Sequence, residues 1–485
     1  MTRVVAFALA VAAATVCAAR TVYDPDLFWH LAQGREVLAG HLVRTNLFSA
    51  AYAAYPQHYT SWLFDAALAL TVRVLGLGGV QLVQGALMAL ALAVLFASAR
   101  ARASATAALA TLLVSLLVLE PRAMPRPYLM SWLALALTVR FWEGRQQKSR
   151  ELIRRINSRL FSDVPGGFGA LCLLLVVWAN VHAEAVFGLA FLAIIVMLEQ
   201  PRRWPWLLAA ATATLVTPYG IGLWRYLAEN AAVPSILRIA ELQPPTPSTY
   251  PAFFAYLAVL GALIALDVAR VGAMTTDDRR RLITDLVIVI VFAAFGLRYV
   301  RMMPLVVFVA APVLAARVDA LIARGWDRRA VLVTATAIAI ATLPATPARM
   351  ARAWRVGAEA VEPRDVFSPA AIAFARERGL TGPVFTSMNL GGWVAWSLPS
   401  ARVSLDSRLQ AYPPEAFARV LSASQAPEEW RALVSDVHWA VVSRARPNEL
   451  SGVGQFSAEE WTSVFRDRAV EIFERRAVPL GMPAR

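Results

Sequence analysis

Long apolar runs recur along most of the chain, separated by short polar stretches. A membrane-spanning helix needs about 20 mostly apolar residues. Runs that meet or approach this length lie at 4–19, 80–99, 103–119, 127–142, 167–183, 185–199, 204–218, 250–269, 282–297, 302–316 and 329–345, which predicts eleven spans. A further run at 61–76, SWLFDAALALTVRVLG, behaves differently. It is short, and at about 100° per residue Ser61, Asp65 and Arg73 fall within roughly a third of the helix circumference. That stripe predicts a helix lying flat on the membrane surface rather than crossing it.

Beyond residue 345 the pattern changes. The segment 346–365, with Pro347 and Pro363, reads as a linker. Apolar runs then shorten to strand length at 383–387, 402–406, 437–443 and 469–473, with helix-like stretches at 414–423 and 427–435. Alternating short strands and helices predict a small soluble α/β domain over 366–485. A tail of this size can bury its own core. The expected architecture is an α-helical polytopic membrane domain over 1–345, with a first outer loop at 20–79, followed by linker and α/β domain. No repeat of fixed period is evident, so repeat-built transporters and solenoids gain no support.

Composition agrees. Of the 485 residues 58% are hydrophobic and 16% charged, with a mean hydropathy of +0.53. Typical soluble domains are about 45–50% apolar and about 25% charged, so a disordered chain or a water-soluble enzyme is disfavoured. The formal charge is +14. Such a balance can signal nucleic acid, but the arginines fall between apolar runs, where they report membrane orientation. With a cytoplasmic N-terminus and 61–76 on the surface, 20 basic residues lie inside and 10 outside before the tail. If 61–76 spanned, the split would be 8 to 22. The positive-inside rule selects the first topology and puts the C-terminal domain outside. Arg3 and the small pair Ala18–Ala19 also fit a cleaved signal peptide. Either way residue 20 emerges outside. Cys17 and Cys172 lie in apolar runs and build no disulfide framework.

The first outer loop holds the strongest chemical signal. It opens with Tyr23-Asp24-Pro25-Asp26-Leu27-Phe28-Trp29-His30. Acids and a histidine beside a membrane cost desolvation energy unless paired or used. Asp24 and Asp26 suit a divalent cation or a general base. Asp24 equally suits an N-cap for a helix through Leu38, with Asp26 near its positive end. Further on lie Asn46, Pro56-Gln57-His58-Tyr59 and Trp62. His58 suits orienting a substrate or assisting a metal, or is simply an interfacial polar residue.

An acid just after the first span, a Pro/His segment and a surface helix before the second span together resemble the GT-C superfamily of glycosyltransferases. That group includes protein O-mannosyltransferases, aminoarabinose transferases and oligosaccharyltransferase catalytic subunits. A set of uncharacterised bacterial polytopic proteins of the same plan is more similar still. The shared features are the 24–34 segment, Arg126-Pro127, WANVH at 178–182, TPYG at 217–220, and GGW at 391–393 through DSR at 406–408. The chain departs from the family where a Pro-Pro-Leu-type segment often precedes the surface helix, so the resemblance does not carry substrate identity.

The resemblance implies transfer from a polyprenyl-phosphate-linked sugar on the periplasmic face of a bacterial inner membrane, for envelope glycan or glycoconjugate synthesis. Such transfer needs a base, which Asp24 or Asp26 supplies, and cations for the phosphate, which Arg122, Arg126, Arg298 and Arg301 suit. The same arginines also suit lipid headgroups. Asn180, His182 and Glu184 end one span on the same side, with His182 and Glu184 a weak metal pair or a helix-end hydrogen bond. Tyr219 and Glu241 fall in the 217–250 loop. His30, His58, Asp406 and Arg408 complete the expected substrate-binding set. Gly391 and Gly392 suit a tight strand-to-helix turn. No Walker loop, dinucleotide fingerprint, CxxC pair or HExxH occurs, so neither nucleotide chemistry nor nucleic-acid binding is expected. A reading from another class is a non-catalytic transporter or assembly factor for envelope polysaccharide. Transporters place polar residues in mid-span and break their helices, whereas here the polar clusters sit at span ends.

Overall fold

The computed structural model describes residues 4, 8, 10–14, 24–155, 166–232, 240–342, 357–445 and 454–476. Much of the expected first span, its flanking Arg3 and Arg20, the loop end at Arg159, Arg238 and most of the 346–365 linker lie outside the described residues. The helices are α1 (Asp26–Leu38), α2 (Trp62–Leu75), α3 (Gly79–Arg100), α4 (Ala105–Leu119), α5 (Tyr128–Arg155), α6 (Gly166–Val181), α7 (Ala185–Glu199), α8 (Pro205–Ala213), α9 (Gly222–Ala232), α10 (Pro251–Val268), α11 (Thr276–Arg298), α12 (Met303–Ala323) and α13 (Arg328–Thr342). The tail adds α14 (Pro369–Glu377), β1 (Gly382–Thr386), α15 (Met388–Ser397), β2 (Ala401–Val403), α16 (Pro414–Ala423), α17 (Pro427–Leu433), β3 (Trp439–Ser443), β4 (Trp461–Arg466) and β5 (Val470–Arg475). The chain forms two compact units. One comprises Met1–Arg20, Gln81–Leu223 and Arg238–Trp354, and the other Thr21–Val80, Trp224–Leu237 and Arg355–Arg485.

The first unit is a helical bundle. Every expected apolar run among its described residues forms helix, though not always for its full length. By length and apolarity, four helical stretches among the described residues suffice to cross a membrane: Gly79–Arg100, Ala105–Arg122, Pro251–Val268 and Val300–Ala323. Phe168–Val181 and Ala185–Glu199 are apolar but shorter. The run at 204–218 stays helical only as α8, whose 9 residues rise about 14 Å at 1.5 Å each. That is half of a ~30 Å hydrocarbon core, so α8 does not cross by itself. Side-chain caps begin two helices: Ser104 accepts the Ala107 N–H at the start of α4, and Thr275 accepts the Asp278 N–H at the start of α11.

At one set of helix ends the bundle is tied by buried charge. Arg102 grips Asp285 with both guanidinium nitrogens at 2.8 and 2.7 Å. Arg317 reaches Asp285 at 3.3 Å and Asp267 at 3.1 Å, and Arg281 reaches Glu143 at 2.8 Å. The network links the α3–α4 turn to α5, α10, α11 and α12. Arginines counted from sequence as orientation signals are here also structural ties.

The second unit joins the first outer loop to the tail domain. Its sheet runs β2-β1-β3-β5-β4. The strands β2, β1 and β3 are parallel, while β5 pairs antiparallel with β3 and β4. Phe385, Trp430, Val442 and Trp461 pack into one apolar cluster, and Leu405, Tyr412 and Phe417 into a second. The loop extends the sheet at its β2 edge: the Val403 N–H donates to the Phe48 carbonyl at 2.8 Å, and the Ala50 N–H to the Val403 carbonyl at 3.0 Å.

Candidate functional site

In the second unit α1 is the central element. Asp24 is buried just before it, and its Oδ1 accepts the Asp26 N–H at 3.1 Å. That is a local turn bond just ahead of the helix; Pro25, not Asp24, holds the N-cap position, and no side chain caps α1. Asp26 is half-buried, and its Oδ1 accepts the Ser407 hydroxyl at 2.5 Å. Glycines set how closely α1 is approached. A Cβ on Gly34 would lie 2.0 Å from the Asp65 carbonyl oxygen, so α1 and α2 meet there backbone to backbone. A Cβ on Gly392 would stand 3.0 Å from the Trp29 nitrogen, and one on Gly391 2.1 Å from the Leu405 carbonyl oxygen. Both glycines lie inside α15, so close packing requires them, not the strand-to-helix turn expected from sequence. Arg35 fastens the same pair of helices, donating to the carbonyls of Trp396 at 2.9 Å and Ala395 at 3.3 Å.

His30, one turn beyond Asp26, is buried and stacked on Trp29, with ring centroids 3.6 Å apart. Its Nδ1 lies 2.7 Å from Asp65 Oδ1. The Tyr59 and Ser61 hydroxyls donate to Asp65 Oδ2 at 2.5 and 3.3 Å. Burial pushes the Asp65 carboxyl up, against the opposing pull of His30, Tyr59 and Ser61. Sequence reasoning counted Asp65 in the polar stripe of a surface helix. The structure instead buries it completely against α1. The available signal was Gly34, a small residue four positions after the histidine.

Asp406 and Arg408 are wholly buried and bound to each other, with contacts from 2.6 to 3.1 Å. Arg408 also donates to Asn46 Oδ1 at 2.6 Å and Gln57 Oε1 at 3.2 Å, and Tyr412 donates to Asp406 at 2.9 Å. Asp406 and Arg408, expected among the substrate-binding residues, thus form an internal clasp. It holds the first loop to the tail. His58 reaches Glu229 at 2.8 Å.

In the first unit the arginines converge on Glu241, a residue left out of the expected site. Arg122 donates to it at 2.8 Å, and Arg126 stands 3.4 Å away. Burial would raise the Glu241 carboxyl, but Arg126, Arg122 and Arg301 outweigh it and hold it at about 2. Arg298 is apart from this group, exposed and over the Tyr299 ring at 4.8 Å. Asn180 donates to the carbonyls of Val176 and Val216 at 2.8 and 2.7 Å. His182 Nδ1 lies 2.9 Å from the Ser131 hydroxyl, which also accepts the Trp178 indole N–H, and 3.5 Å from Glu184. This is a helix-end hydrogen bond of the kind the sequence allowed. The Tyr219 N–H donates to Thr217 at 3.2 Å, a local turn bond. Among the described residues no three His, Cys, Asp or Glu side chains group as metal ligands.

The first unit also contains a cavity of about 530 Å³, lined by Val114, Leu117, Tyr256, Val259, Leu314 and Ile338 among others. Its few polar residues, Glu120, Thr249 and Tyr250, come from the end of α4 and the start of α10. The volume lies within the usual ~300–1,000 Å³ of ligand pockets, which are likewise mostly apolar with a few polar groups.

No protein-family model matches the chain, and no curated protein matches it. Solved structures do resemble it. The Archaeoglobus fulgidus oligosaccharyltransferase in the apo form is similar with a TM-score of 0.63 at 10% identity, over 92% of this chain and 70% of that one. AglB from the same organism, in complex with an inhibitory peptide and a dolichol-phosphate, gives 0.59 at 11% identity, over 92% and 69%. The A. fulgidus enzyme tethered to an acceptor peptide containing the NVT sequon gives 0.58 at 11% identity, over 99% and 75%. At such identities the likeness is one of fold, and it bears out the architecture that the sequence motifs resembled.

Proposed function

We propose that this chain, which has the fold of an archaeal oligosaccharyltransferase, is a membrane glycosyltransferase that takes its sugar from a polyprenyl-phosphate carrier. One observation carries the reading: the fold likeness extends over 92% of the chain, to a protein solved with a dolichol-phosphate. The proposed setting is the periplasmic face of a bacterial inner membrane, in envelope glycan or glycoconjugate synthesis. The N-terminus is then cytoplasmic, 61–76 lies along the outer surface and the tail domain is periplasmic. The 20-to-10 distribution of basic residues supports that orientation.

In the proposed reaction an acceptor hydroxyl gives its proton to a carboxylate at the start of α1. Asp26 is the more exposed of the two and is preferred over Asp24. The oxygen attacks the anomeric carbon, and the bond to the phosphate oxygen breaks, with the electron pair leaving on the phosphate. Arginines stabilise that charge through charge-assisted hydrogen bonds. Arg122, Arg126 and Arg301 already surround one anion, the Glu241 carboxylate. The apolar cavity suits a hydrocarbon chain.

The test is transfer by purified protein, assayed with a polyprenyl-phosphate sugar and separately with a nucleotide sugar. Turnover of the lipid-linked donor is expected. Turnover of the nucleotide sugar alone would overturn the proposal.

A further inference from the structure

The His30–Asp65 pair has more structure around it than a helix contact needs. Its carboxylate is fully buried and collects three groups able to donate: His30, Tyr59 and Ser61. The helices are pressed together at Gly34, so neither partner can move away without separating α1 from α2. A matched apolar pair would pack the same helices without the desolvation cost of burying polar groups. Two hydroxyls donate to Oδ2, which leaves Oδ1 to face the ring nitrogen at 2.7 Å; an ionised Asp65 can only accept there, and the ring must then carry its proton on Nδ1. The partner of one imidazole nitrogen decides which tautomer the ring adopts. His30 also shares a face of α1 with Asp26, one turn away, since residues four apart are helix neighbours.

We propose that Asp65 is a positioning residue that locks His30 in its Nδ1–H tautomer, so that Nε2 is a fixed hydrogen-bond acceptor for a hydroxyl of the sugar being transferred. The substrate half of this proposal rests on the transferase reading. The tautomer half does not.

Two variants separate the roles. In His30→Asn the amide N–H takes the place of Nδ1–H toward Asp65, but nothing replaces Nε2. In Asp65→Asn the new amide donates to Nδ1, and the ring proton must move to Nε2, which turns an acceptor into a donor. Histidine ring-nitrogen NMR on the full-length protein in detergent reads the tautomer directly. With only five histidines, the His30 signal is the one lost in His30→Asn. The expected result is Nδ1–H in the wild type and Nε2–H in Asp65→Asn. Binding is then measured with a polyprenyl-phosphate monosaccharide and with bare polyprenyl phosphate. Both variants should bind the sugar-bearing lipid about 10- to 100-fold more weakly, the range for leaving one buried polar group unpaired, and the bare lipid as the wild type does. A merely structural pair would weaken both lipids together. Nε2–H in the wild type overturns the tautomer assignment. If the wild type binds both lipids and His30→Asn loses nothing, the hydroxyl assignment falls alone. If the wild type binds neither, the transferase reading falls and takes the hydroxyl assignment with it.

Discussion

At the scale of single residues, the acids of the first loop divide by their surroundings. Asp24 is buried and its carboxylate accepts the Asp26 N–H; Asp26 is half-buried and its carboxylate accepts the Ser407 hydroxyl. An Asn side-chain oxygen accepts the same N–H or hydroxyl as Asp, so neither Asp24→Asn nor Asp26→Asn should much change thermal stability. Loss of a true general base should lower turnover about 10²–10⁴-fold, and Asp26→Asn should show the larger loss in a steady-state assay. Normal turnover in both variants would remove the catalytic role from this loop. Arg408 invites a different outcome. Arg408→Met leaves Asp406 buried without its cation, which typically costs about 3–5 kcal/mol and should appear as a lower denaturation midpoint. Glu241 adds a pH effect. Its carboxyl is held at about 2 in the folded protein against an ordinary value of about 4.3. The lowered value adds stability above about pH 4.3 that is lost as the pH falls toward 2. Thermal melts across that window should flatten in Glu241→Gln. The sequence pointed to Asp24, Asp26, His30, Asp406 and Arg408 because acids and bases near a membrane stand out. It could not pair them, because Asp65, Asn46, Gln57 and Glu241 are separated from their partners by tens or hundreds of positions.

At the scale of elements, hydrophobic periodicity worked where one face of an element was buried. The helix expected at 414–423 is α16 to the residue. The strand β4 escaped notice because only Trp461 is fully buried along it, leaving no alternation to read. The run at 204–218 was overextended because apolarity alone does not reveal the turn after Ala213. The glycines of α15 were noticed for the wrong reason: composition shows a small residue, but only packing shows what it makes room for. Gly391→Ala should therefore disturb the seat of α15 on the Leu405–Asp406 backbone, with a Cβ placed 2.1 Å from a carbonyl oxygen. A clear drop in melting temperature is expected, whereas Gly261→Ala, in α10 with open space around its Cβ position, should be neutral or slightly stabilising by helix propensity.

At the scale of the whole molecule, the orientation is open to a direct check. In a background with Cys17 and Cys172 replaced by alanine, a cysteine placed within 145–150, in the C-terminal part of α5, should resist a membrane-impermeant thiol reagent in intact cells with a permeabilised outer membrane. One near residue 425 should react. The reverse labelling would invert the proposed topology. The clasp between Arg408 and Asn46 has a consequence in time. The two residues are 362 positions apart. At a synthesis rate of about 5–20 residues per second, roughly 20–70 s separate their emergence from the ribosome. The loop carrying Asp24 and His30 is made first and waits through the synthesis of the helical bundle for the partner that secures it. A ribosome that stops between the two clasp residues releases a chain with every candidate acid of that loop present and no Arg408 to hold Asn46.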